Sequence, residues 1–81
     1  MKWLKSLELI ERIDQLIRLK ATGSAQELSQ KLGISRSSVY AYVALMKELG
    51  APLYYCKKNR SFCYVYEVRF IFGFGHEKQS N

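Results

Sequence analysis

Hydrophobic positions recur with a helical period in three stretches of the chain and then switch to a period of two. From Leu4 to Lys20 the residues Leu9, Ile13, Leu16 and Ile17 fall on one side, with Leu7 and Ile10 beside them, which predicts a first helix over about residues 4–21. Leu28 and Leu32 mark the inner side of a short second helix, over about 25–32. In a third stretch, about 36–49, Val39, Tyr42, Val43, Leu45, Met46 and Leu49 share one broad face. Beyond Pro52 the alternation predicts a β-hairpin over about 53–72. Its first strand is Leu53–Cys56, its turn Lys57-Lys58-Asn59-Arg60-Ser61, and its second strand runs from Phe62 onward. One domain over residues 1–75 and a polar tail over 76–81 account for the chain.

Local chemistry punctuates these elements. Ser24-Ala25-Gln26-Glu27 is a Ser-x-x-Glu capping box, in which hydroxyl and carboxylate each satisfy a backbone N–H that the helix start leaves without a partner. Gly33 stands where the chain must turn with positive φ, Ile34 lies under the turn, and Ser35 caps the next helix. Gly50 provides a left-handed exit and Pro52 forbids resumption of the helix. A short helix, a tight Gly-containing turn and a second helix form the helix-turn-helix arrangement. With the hairpin behind it, the expected fold class is α+β, a winged helix-turn-helix of three helices and a small antiparallel sheet in the C-terminal half.

The outward side of the third helix carries Ser37, Tyr40, Ala41, Ala44, Lys47 and Glu48, and its first three turns hold no acidic residue. Arg36, Ser37 and Ser38 at the helix start are candidates for phosphate, and Tyr40 and Ala41 for base edges, with Lys47 further along. Lys57, Lys58 and Arg60 at the hairpin tip are candidates for sequence-independent backbone contacts. Each feature also has a plain structural reading: Ser-rich helix starts are caps, outward tyrosines are amphipathic surface, and hairpin tips are polar. Ser35 alone is read as a cap. Taken together, in helix-turn-helix spacing and a basic chain, the others point to double-stranded DNA.

Gly33-Ile34-Ser35-Arg36-Ser37-Ser38-Val39-Tyr40, followed by Val43, Leu49 and Gly50-Ala51-Pro52-Leu53, resembles the N-terminal winged helix-turn-helix domain of DeoR-type and WYL-domain transcriptional regulators. The resemblance spans about residues 7–68 and is most specific at the Ser-Arg-x-x-Val-Tyr start and the Gly-Ala-Pro-Leu exit. It implies a DNA-binding domain whose helix Arg36–Leu49 enters the major groove. The chain departs from that pattern at Ser37 and Ala41, where many relatives carry basic residues, and at Tyr42, where they carry an acidic one. No counterpart of the ligand-sensing WYL domain lies within these residues.

Composition narrows the function classes. A length of 81 residues accommodates one small core but no separate cofactor fold, nor an effector pocket of the usual size. The net charge of +6 and a pI near 9.5 favour a polyanionic partner. Charged residues interrupt the first twenty positions, so no signal-peptide core is expected, and no run is long enough to span a bilayer. Cytoplasm, and the nucleoid within it, is the expected location. Membrane binding by a basic first helix ranks last, because Glu8, Glu11 and Asp14 offset its cations. No enzyme is expected either. His76 is the sole histidine, without a nucleophile at catalytic spacing, and Gly73-Phe74-Gly75 lacks the third Gly and following helix of a phosphate loop. Cys56 and Cys63 flank the hairpin turn, facing each other if it centres on Asn59-Arg60, and are read as ordinary thiols, with a redox disulfide as a minor alternative. With one distant histidine they leave a zinc site incomplete; no cofactor and no small-molecule ligand are expected.

Phe62, Tyr64, Tyr66, Val68, Phe70, Phe72 and Phe74 alternate on one face, more aromatic area than a minimal wing needs. Residues 69–74 either fold back to complete the sheet and core or remain an apolar strand that pairs with another chain. A homodimer through the first helix or the 62–74 strand is the structural hypothesis. The alternative function is a winged helix retained as a protein-interaction module, which the uncharged Ser37 and Ala41 motivate.

Overall fold

The computed structural model describes residues 2–74 and contains helices α1 (Lys2–Arg18), α2 (Ala25–Leu32) and α3 (Arg36–Glu48), then antiparallel strands β1 (Leu53–Cys56) and β2 (Ser61–Tyr64). This is the α+β winged helix-turn-helix architecture. α1 begins before Leu4 and stops at Arg18, short of the residue 21 that apolar periodicity predicts, because Lys20 takes a left-handed φ of 54°. The Lys20 and Ala21 amides then close back on the carbonyls of Ile17 and Leu16. α2 starts on the capping box: Ser24 Oγ accepts from the Glu27 amide at 3.1 Å, and the Ser24 amide donates to Glu27 Oε1 at 2.8 Å. Gly23 is required there, since it holds a left-handed φ of 71° and a Cβ at that position would lie 2.9 Å from Glu27 Cβ. Gly33, at φ 69°, makes the turn into α3.

The core joins Ile10, Ile13 and Ile17 of α1 to Leu28 of α2, Val39, Val43 and Met46 of α3, and Leu53 and Phe62 of the strands. α1 is therefore rotated from the predicted setting. Leu9 and Leu16 are only half-buried, and Asp14 faces inward at 2% exposure. Its charge is met there, for Tyr64 Oη donates to Asp14 Oδ1 at 2.7 Å and Arg18 Nε to Oδ2 at 3.0 Å. α3 also differs at its end. Leu45 and Leu49, predicted inside, are exposed, because α1 does not cover them and an open cleft lies between the two helices.

The hairpin is shorter than the alternation predicts. β1 pairs Leu53 with Tyr64 and Cys56 with Ser61, and the Val65 amide still donates to the Pro52 carbonyl at 2.8 Å. Past that point residues 66–72 have no strand partner among the described residues, since the residues that would lie opposite belong to α3 and its exit. The second wing strand thus ends at Tyr64 rather than near residue 72. Residues 69–74 do not form a third strand: Phe70 packs against the core while Ile71, Phe72 and Phe74 are exposed. Cys63 lies opposite Tyr54 and Cys56 opposite Ser61, so the cysteines do not face each other, and both are free thiols.

Candidate nucleic-acid interface

Two basic groups come from different elements. Arg36, Ser37, Tyr40, Ala41 and Lys47 of α3 are exposed. At about 100° per residue Arg36, Tyr40 and Lys47 share one edge roughly 40° wide. Ser37, Ala41 and Ala44 beside that edge are small, which lets the helix backbone approach a groove floor closely. Ser38 stands apart. Ser35 Oγ accepts from its amide at 3.1 Å and donates to its hydroxyl at 3.0 Å, so Ser38 is half-buried within the cap and its side chain is committed locally.

The second group is the hairpin tip, where Lys57, Lys58 and Arg60 are all exposed. Its position is fixed from behind by a buried pair of hydroxyls that sequence reasoning missed. Thr22, just after α1, and Ser61, the first residue of β2, are both 0% exposed and lie 3.0 Å apart, Oγ1 to Oγ. The Thr22 amide donates to Ser61 Oγ at 3.2 Å and the Phe62 amide to Thr22 Oγ1 at 2.8 Å. The sequence signal was only Thr22-Gly23-Ser24, which reads as a helix end. This clamp brings the tip beside the start of α2: the Glu27 carboxyl is held below its ordinary range by the hydrogen bond from the Ser24 amide first, with the Arg60 guanidinium adding to the effect. Arg60 itself has a left-handed φ of 53°. No hydrogen bond or ion pair joins the tip to the α3 edge among the described residues, where the sole ion pair is Arg18–Asp14.

Tyr64 closes the far end of the hairpin onto α1. Burial raises its hydroxyl above the ordinary tyrosine range, and the hydrogen bond to Asp14 raises it further. Among the described residues no cluster of three metal-ligating side chains occurs, and His76 lies outside them. No helix there is long and apolar enough to cross a membrane.

A family model described as an HTH domain matches residues 9–58, more than half of the chain and all of α2, the turn and α3. The chain belongs to the helix-turn-helix domain family. It is accordingly a DNA-binding domain, with α3 in the position of the second helix of the motif. No curated protein and no solved structure matches it.

Proposed function

We propose that the chain is a small transcriptional regulator that binds double-stranded DNA through α3 in the major groove, as its likeness to DeoR-type and WYL-domain regulators implies. The observation that carries the reading is the acid-free, exposed edge of α3 directly after the helix-turn-helix turn, in a chain of net charge +6. Arg36 and Ser37 take phosphate at the helix start, Ser38 serves through the cap that orients that start, Tyr40 and Ala41 approach base edges, and Lys47 adds a later phosphate contact. Lys57, Lys58 and Arg60 lie along the DNA backbone. Residues 1–75 act as one module, in the cytoplasm and on the nucleoid. A single module of this kind offers only about 600–1,000 Å² to DNA, so two copies on two half-sites supply the working affinity.

Fluorescence anisotropy with a labelled duplex of about three helical turns, titrated at several salt concentrations, tests the reading. Micromolar or tighter binding that falls steeply with salt, and that Arg36→Ala weakens, is the expected result. Absence of binding at low salt discards it in favour of the protein-interaction module, the second reading, which the exposed apolar side chains around the α1–α3 cleft support.

A further inference from the structure

An open apolar cleft of about 660 Å³ lies between the N-terminal half of α1, the end of α3 and residues 68–72. Trp3, Leu7, Leu45, Leu49 and Phe70 line it, and Arg69 is the only charged residue among the described residues of the lining. Such scarcity of charge marks the centre of a protein interface rather than ordinary surface. Along one side of the cleft runs a ridge. Phe70 is seated against the core and Phe72 stacks on it, ring centroids 6.4 Å apart with 9° between their planes. Gly73 then turns at φ 112°, and Phe74 projects fully into water.

We propose that this face joins two copies of the chain, each setting its Ile71–Phe74 ridge against the cleft of the other about a two-fold axis. The inference rests on the dimer of the preceding section and gives it a surface. The exposed parts of Trp3, Leu49, Ile71, Phe72 and Phe74 amount to on the order of 800 Å². A standard interface buries roughly 800 Å² on each partner, so the patch suffices for a stable dimer and greatly exceeds ordinary monomer surface in apolar content. Ridge and cleft adjoin on one face, which is the self-complementarity that an isologous contact requires. Leu45 and Leu49 also lie on the opposite side of α3 from Arg36, Tyr40 and Lys47, roughly 140–180° around the helix. Dimer contact and DNA contact therefore do not compete for the same surface.

Trp3 is the sole tryptophan, so its emission reports on this cleft directly. The test is sedimentation equilibrium of the full chain without DNA, from low to high micromolar, with Trp3 emission read over the same range. The expected mass doubles from 9.4 kDa as the emission moves to the blue. Phe72→Ser with Phe74→Ser, both side chains more than half exposed, leaves the circular dichroism unchanged at low micromolar concentration, where the chain is monomeric, and weakens the dimer at least about tenfold; Leu49→Lys does the same from the cleft side. A wild-type chain that stays monomeric with unshifted emission overturns the proposal. So does a dimer indifferent to these variants, or a blue shift seen only with anionic phospholipid vesicles, which would assign the face to a lipid surface. Because DNA is absent throughout, failure here leaves the anisotropy result standing, and the reverse also holds.

Discussion

Asp14 sits on the inner side of α1 with both oxygens engaged, one by Tyr64 and one by Arg18, and so converts a buried charge into the tie between α1 and the end of the wing. Tyr64→Phe removes one donor and is expected to destabilise the domain by about 1–2 kcal/mol, read as a lower melting temperature at neutral pH. The pH dependence follows from the direction of the Tyr64 shift. Its folded pKa stands above the unfolded value of 10.0, so its contribution is complete below pH 10 and is lost as pH rises through the folded value. Melting followed above pH 10 should therefore show the gap between wild type and Tyr64→Phe narrowing. Arg60 gives a second residue-level result. It holds a left-handed φ that Gly adopts freely, so Arg60→Gly should stabilise the fold by up to about 1 kcal/mol while weakening DNA binding in proportion to the lost charge. A variant both more stable and bound equally well would remove Arg60 from the interface.

At the scale of elements, the wing depends on what holds it behind as much as on its own pairing. Four residues a side make a marginal ribbon by themselves, and the Thr22–Ser61 clamp with Phe62 in the core anchors it. Thr22→Val keeps the shape but leaves the Phe62 amide without its acceptor, so a loss of about 1–3 kcal/mol is expected in thermal unfolding. Neutralising Lys57, Lys58 and Arg60 together should leave stability nearly unchanged and reduce the slope of log affinity against log salt by up to about 3, which anisotropy at several salt concentrations measures. An unchanged slope would mean that the tip does not touch the backbone. The helix-turn-helix was legible because its signals are local: the capping box, Gly33 and Ser35 each act within one turn of chain. The wing's length was not legible, because alternation in Phe62–Phe74 records which side chains are apolar and not whether a partner strand lies opposite. The partner was missing since Pro52 and the α3 exit end the pairing.

For the molecule as a whole, two associations answer salt with opposite sign. Each copy carries +6, so copies repel one another and screening favours the dimer, whereas DNA binding releases counterions and weakens as salt rises. Raising salt should tighten dimerisation by sedimentation while loosening DNA binding by anisotropy; if both weaken together, charge rather than the apolar face joins the copies. By itself the sequence determined the element order, the caps and turn of the motif, the basic edge and tip, and the family, since all of these rest on chemistry between near neighbours. Only the tertiary structure decided the rotation of α1 that buries Asp14, the clamp across Thr22 and Ser61, the end of the sheet at Tyr64 and the exposure of Leu45 and Leu49. Those features depend on which surfaces remain once a core of this size has taken its share of the apolar residues, and helical or strand period carries no record of that.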